Sequence, residues 1–252
     1  MRRMLASALL LAVCCTVPAR ADGPVVELIA AVKPSVVAIG THEETRRPQD
    51  VILGTGFAVG DGGHILTALH VVRGVPAGSL SMYVGQGDDA EIVRVMQIAA
   101  DSDHDMALLK IEGKTLPALR LFLGVPLSEG EEVAFTGYPI GAVYGLYPAT
   151  HRGIVSAITP IARAQVTPGE LTPDMIRAID RKIMAYQLDA TSFPGNSGGP
   201  MVDPSDGAVV GVINSTYVQQ TKDSALDRPS GITFAMPIPP AIEMLRKAGL
   251  EP

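Results

Sequence analysis

From about residue 24 onward, apolar residues arrive in short runs broken by Gly, Pro and Asp. In the first half these runs are Ser35–Ile39, Gly56–Val59, His64–Thr67, Leu80–Val84, Met106–Ile111 and Glu132–Phe135. Gly153–Ile158, Met184–Leu188, Val209–Ile213 and Thr233–Met236 follow in the second. Many short, β-branched-rich runs with turn residues between them predict an all-β chain, an antiparallel sandwich or barrel. Helical periodicity is confined to three short stretches. Val25 to Val32 is stopped by Pro34, a second begins at Thr172-Pro173 and continues to Ile183, and a third runs from about Pro240 to Ala248 before Gly249. The polar stretch Thr41 to Asp50 and the segment Ile161 to Leu171 read as long exposed loops.

The N-terminus follows a different pattern. Met1-Arg2-Arg3, an apolar run from Met4 to Val17, and Ala19-x-Ala21 have the three parts of a secretory signal cut before Asp22. The run is shorter than the roughly 20 residues a membrane-spanning helix needs. The expected organisation is therefore a signal peptide over 1–21 and one folded unit over 22–252, exported to the periplasm or the extracellular space, with no integral membrane segment after cleavage. A lipid anchor on Cys14 is disfavoured because Val13 fits a lipobox poorly. Both cysteines, Cys14 and Cys15, fall in the signal, so the mature chain has neither disulfides nor a cysteine nucleophile. Cleavage also removes Arg2, Arg3 and Arg20, leaving 17 basic against 26 acidic residues. An acidic chain without a basic stretch excludes nucleic acid as the expected partner.

Against this background Pro194-Gly-Asn-Ser-Gly-Gly-Pro200 stands out. Its glycines allow backbone dihedrals closed to other residues, and closely spaced N–H groups in such a loop can cradle an anion beside Ser197. A surface turn would have the same composition, so partners for the serine decide the matter. Serine nucleophiles need an imidazole base and a carboxylate that holds it. Of the five histidines, His42, His64, His70, His104 and His151, only His70 ends an apolar strand where a scaffold can aim it. Of Asp101, Asp103 and Asp105, the last abuts the strand Met106–Leu109. The order His70, Asp105, Ser197 is one of three known triad orders.

The words around those residues are more specific. Gly54-Thr-Gly-Phe57, Thr67-Ala-Leu-His-Val-Val72, Asp105-Met-Ala-Leu108, Gly153-Ile-Val-Ser-Ala157, Gln187-Leu-Asp-Ala190, Gly195-Asn-Ser-Gly-Gly-Pro200 and Ile232-Thr-Phe-Ala-Met-Pro237 resemble, in order, the signatures of HtrA/Deg-type trypsin-like serine proteases. The resemblance implies two six-stranded antiparallel β-barrels of the chymotrypsin/trypsin type with short peripheral helices, meeting near 120–130. It implies His70 as general base, Asp105 as its orienting acid and Ser197 as nucleophile, with an oxyanion hole from the Gly195 and Ser197 N–H groups and Asn196 between them. The substrate pocket would be lined by Thr191, Ser192, Phe193, Ile213, Asn214 and Ser215, with Thr216 beyond. No cofactor and no metal is implied. The expected partners are polypeptide substrates and, by resemblance, further copies of the chain in a trimer.

Four features shape the expected function. The sequence ends about fourteen residues after the last motif, with no room for the PDZ domain of roughly 80–100 residues that such proteases usually carry. The segment Thr159 to Lys182 is longer than expected between its flanking motifs and reads as a lid or regulatory loop. Thr191, six residues before the serine, offers no carboxylate for Lys or Arg, so small or medium apolar side chains are the expected preference. Asn196 is neutral where zymogen-type proteases place an Asp to capture a new N-terminus, so activation by that salt bridge is not expected. The leading expectation is an exported endopeptidase acting on unfolded or flexible segments. A catalytically silent, chaperone-like peptide-binding module on the same fold is the alternative. A metal-dependent hydrolase using His64, His70 and His104 is a third, although their spacing matches no ligand motif.

Overall fold

The computed structural model describes residues 23–76, 78–140, 145–161, 183–214 and 231–252. The predicted signal peptide, most of the Thr172–Ile183 helix and the pocket residues Ser215 and Thr216 lie outside them.

Twelve strands form two closed antiparallel barrels of six. The first contains β1 (Val36–His42), β2 (Asp50–Val59), β3 (His64–Ala68), β4 (Leu80–Val84), β5 (Glu91–Asp101) and β6 (Met106–Ile111), joined around the barrel in the order β1-β2-β3-β6-β5-β4. The second contains β7 (Glu132–Gly137), β8 (Ala149–Pro160), β9 (Met184–Asp189), β10 (Pro200–Val202), β11 (Val209–Asn214) and β12 (Ile232–Pro237) in the order β10-β11-β12-β9-β8-β7. Closure leaves no strand edge unpaired, which answers the sandwich-or-barrel question raised by the strand pattern.

Strand side chains alternate in direction, so each barrel needs one apolar set inside and, where the barrels touch, a second set outside. β1 meets both demands. Val37 and Ile39 point into the first barrel with Ala58, Ile65, Met82 and Leu109. Val36 and Ala38 point the other way, into a layer shared with Tyr138, Val202, Val212 and Met236 of the second barrel. This double burial explains why β1, β3 and β11 read as continuous apolar runs rather than as alternations. The second barrel has its own interior, around Val133, Phe135, Tyr186 and Ile213.

α1 (Pro24–Val32) and α3 (Pro239–Lys247) close the ends of the shared layer, with Leu28 and Val32 from one and Ala241, Ile242 and Leu245 from the other. Pro at the start of each fits the first helical turn, where its missing N–H costs nothing. α2 (Leu69–Val72) is a single turn between β3 and β4.

Candidate active site

One bank of the cleft between the barrels is built from α2 and the β5–β6 turn. Leu69, Val71 and Val72 are buried in the first barrel's core, so the helical turn has one face fixed and presents His70, its only polar residue, away from it. The residue expected at a strand end thus sits one turn beyond it, and that turn pins the backbone on both sides. Facing it, Asp105 takes a left-handed backbone conformation, φ 53°, which Asp tolerates better than most non-glycine residues. Every acceptor of Asp105 is used. Its carbonyl accepts from the Leu69 N–H at 2.8 Å, Oδ1 from the His70 N–H at 2.9 Å, and Oδ2 lies 2.5 Å from His70 Nδ1 and accepts from Asn214 Nδ2 at 2.7 Å. The carboxylate therefore fixes both the main chain and the ring of His70. Their side chains are 25% and 14% exposed, which leaves the ring reachable from the cleft.

The other bank is the loop between β9 and β10. Its turn is held by backbone bonds: the Asn196 N–H donates to Phe193 O and the Gly199 N–H to Asn196 O, both at 3.0 Å. The Gly198 N–H donates to Ile213 O at 2.8 Å, and the Ile140 N–H to Pro194 O at 2.7 Å. Two glycines make the path possible. Gly195 has φ 103°, and a Cβ on it would lie 2.2 Å from Tyr138 O. Gly198 has φ 85°, and a Cβ there would lie 2.2 Å from Thr55 O, 2.3 Å from Thr67 Oγ1 and 2.9 Å from the Ala68 nitrogen. That last approach brings the loop against the end of β3, two residues from His70. Ser197 is 6% exposed, and its carbonyl accepts from the Thr55 N–H at 2.8 Å. Asn196 is fully buried, and neither its Nδ2 nor its Oδ1 has a hydrogen-bond partner.

Carboxylate pairing alone does not single out His70. His42 Nδ1 lies 2.7 Å from Asp50, His64 Nδ1 2.8 Å from Asp61, and His104 Nδ1 2.8 Å from Asp101. Those three pairs are local, within one hairpin or turn. His70 and Asp105 are 35 residues apart and meet across two strand connections. His151 stacks on Phe135, ring centres 4.9 Å apart, and burial holds its pKa below the ordinary value. His64, His70 and His104 thus serve three different aspartates. Among the described residues no group of three His, Cys, Asp or Glu side chains is placed to hold a metal.

The residues expected to line a pocket part company. Ser192 is buried, while Thr191 and Phe193 are half-buried beside the loop. Ile213 has no exposure and packs inside the second barrel. Asn214 directs its amide to Asp105, a role that sequence reasoning did not assign to it. Thr55 was quoted only as part of a motif, yet it hydrogen-bonds the serine loop directly. The available signal was its place between Gly54 and Gly56, since glycines inside a strand mark close backbone approach.

Paired antiparallel barrels with an aspartate-held imidazole on one bank and a glycine-braced serine loop on the other form the chymotrypsin-like class. Comparison with known proteins narrows this. The trypsin-like peptidase domain family matches residues 54–212. A protein of Halomonas elongata, described as "Probable periplasmic serine endoprotease DegP-like", is 32% identical over 205 residues, covering 81% of this chain and 35% of the relative. Its counterpart in Hahella chejuensis is 33% identical over 209 residues, covering 82% and 38%. The crystal structure of the serine endoprotease from Yersinia pestis superposes with a TM-score of 0.61 at 25% identity, covering 88% of this chain and 65% of that one. The chain belongs to the trypsin-like peptidase family, and within it to the HtrA/Deg type. It spans a little over a third of the length of these curated relatives.

Proposed function

We propose that the chain is an exported serine endopeptidase that cleaves unfolded or flexible protein segments. The observation that carries this reading is the His70 Nδ1 to Asp105 Oδ2 contact of 2.5 Å, reached across 35 residues and reinforced from the second barrel by Asn214. A carboxylate on Nδ1 keeps the proton there and leaves Nε2 as the base. In the proposed reaction His70 Nε2 takes the Ser197 hydroxyl proton as Oγ attacks the scissile carbonyl. The oxyanion that forms is held by the Gly195 and Ser197 N–H groups, and His70 returns the proton to the leaving amine. Water then releases the acyl group by the same steps. Donors aimed at a developing oxyanion are each worth on the order of 10²–10³ in rate.

Thr191 and Ser192 bring no charge to the pocket side of the loop, which supports cleavage after small or medium apolar residues. Asn196 supports activity without capture of a new N-terminus, because a neutral side chain carries no charge to attract the ammonium. Export is supported by the leader-like first 21 residues and by the periplasmic description of the relatives. Among the described residues no helix is long and apolar enough to cross a membrane.

A fluorophosphonate probe tests the reading. Wild-type protein should be labelled once per chain, and Ser197→Ala and His70→Ala not at all, with casein cleavage falling by about 10⁶-fold in Ser197→Ala. A folded wild type that neither labels nor cleaves overturns it and leaves the peptide-binding alternative.

A further inference from the structure

We propose that Thr55, in the first barrel, is the positioning residue that sets the oxyanion loop of the second. The proposal rests on the reading that this loop serves acyl transfer. Thr55 lies in β2, has no exposure, and directs both its hydroxyl and its N–H to the second barrel. Its Oγ1–H donates to Gly195 O at 2.6 Å, and the same Oγ1 accepts from the Tyr138 N–H at 3.0 Å. Its own N–H donates to Ser197 O at 2.8 Å, and its carbonyl accepts from Thr67 Oγ1 at 2.6 Å. One residue thus holds the carbonyl before Asn196 and the carbonyl after it.

Those carbonyls matter because a trans peptide fixes the N–H on one side by the C=O on the other. The Gly195 N–H shares its peptide with Pro194 O, which accepts from Ile140. The Ser197 N–H shares its peptide with Asn196 O, which accepts from Gly199. The Gly195–Asn196 peptide between them is held at its N–H by Phe193 O, from within the loop, and at its carbonyl by Thr55 Oγ1, from across the cleft. Without the Thr55 bond this peptide keeps only its contact within the loop, and its rotation would turn both flanking N–H groups out of register. The side chain of Asn196 cannot substitute, since it has no hydrogen-bond partner. In proteases that capture a new N-terminus, the residue at that position braces the loop by a salt bridge. In this chain the brace comes from across the cleft. A Cβ on Gly137 would lie 2.7 Å from Asn196 Oδ1 and 3.0 Å from Thr55 Oγ1, so the space beside the brace is filled.

The test compares Thr55→Val, which keeps the shape and loses the hydroxyl, with Thr55→Ser, which keeps the hydroxyl. A small misplacement of catalytic donors costs on the order of 10²-fold in rate. Thr55→Val should lose about that much in kcat with KM changed less than about threefold. A peptidyl trifluoromethyl ketone, which forms the oxyanion, should lose affinity by a similar factor. Thr55→Ser should stay within about threefold of wild type in all three. Hydrogen exchange of the segment 194–200 should rise in Thr55→Val and not in Thr55→Ser. Should Thr55→Val show no melting transition, Thr55→Cys decides, because a thiol fills the space but donates weakly. Its kcat must then fall well below that of Thr55→Ser.

A Thr55→Val or Thr55→Cys enzyme with wild-type kcat overturns the proposal, as does a loss carried by KM or a Thr55→Ser variant as impaired as the valine. If wild-type protein is active towards casein and the fluorophosphonate while these comparisons fail, only the role of Thr55 falls. If wild type is inactive towards both, the endopeptidase reading falls and takes this inference with it.

Discussion

The two banks of the cleft are held by different chemistry. On the first-barrel side, a charged side chain organises the site: Asp105 gathers the Leu69 and His70 main chain, the His70 ring and the Asn214 amide onto one carbonyl and one carboxylate. On the second-barrel side, the serine loop is tied almost entirely by main-chain N–H and C=O groups, with glycine where the path turns left-handed. The first bank must therefore be sensitive to the charge state and tautomer of a few side chains. The second must be sensitive to steric bulk and to the bond across the cleft, and largely indifferent to charge.

The sharpest way to break the comparison is Asp105→Asn. Asparagine tolerates the left-handed backbone at φ 53° and can still accept the His70 N–H, so the fold should survive. Its Nδ2 then faces both His70 Nδ1 and the Asn214 amide. His70 Nδ1 must become the acceptor, the proton moves to Nε2, and the ring can no longer act as the proposed base for Ser197. The expected loss is about 10⁴-fold in kcat with an unchanged melting temperature. A loss smaller than about tenfold would show that the charge on this bank does not organise the site. Asn214→Ala probes the same carboxylate from the far side. It removes one donor and leaves the His70 contact, so kcat should fall by about tenfold, the size of one lost hydrogen bond to a charged group, with KM unchanged. A KM effect instead would place Asn214 in the substrate pocket.

The contrast between the banks also explains what could be read from the chain. Ten of the twelve strands were visible as apolar runs, because closed barrels that share a face bury both sides of their central strands. β5 was missed because its outward positions carry Ile92, Met96 and Ile98, each more than two-fifths exposed, beside Glu91 and Arg94, which blurs the alternation. β10 was missed because it is three residues long and begins at Pro200. His70 was expected at a strand end. It lies in α2, a four-residue turn too short for a periodic signal and recognisable only from the burial of Leu69, Val71 and Val72. The glycines around Ser197 announced a special backbone, since composition encodes left-handed dihedrals directly. The roles of Thr55 and Asn214 were not legible, because each depends on where one barrel sits against the other. Ile213, expected to line the pocket, packs with the interior residues of the second barrel.

A smaller effect separates the banks by pH. Asp101 closes the turn that delivers Asp105: Oδ1 accepts from the Asp103 and His104 N–H groups, and Oδ2 lies 2.8 Å from His104 Nδ1. Burial works to raise its pKa, but the His104 ring and the backbone donors outweigh this and hold it below the usual 3.8. A carboxylate whose pKa is lower in the folded chain stabilises the fold above the unfolded value and loses that contribution as pH falls through the folded one. Asp101→Asn should therefore melt below wild type near neutral pH, by no more than about 3 °C for a partly exposed pair screened by solvent. The gap should close as the pH falls below the ordinary carboxylate value of 3.8 and wild-type Asp101 takes up its proton. Ser192→Ala, on the uncharged bank, should shift the melting temperature by the same amount throughout that fall. A gap for Asp101→Asn that stays constant as the pH falls would mean that its charge contributes nothing to the turn, and that the charged contribution on the first bank comes from Asp105 alone.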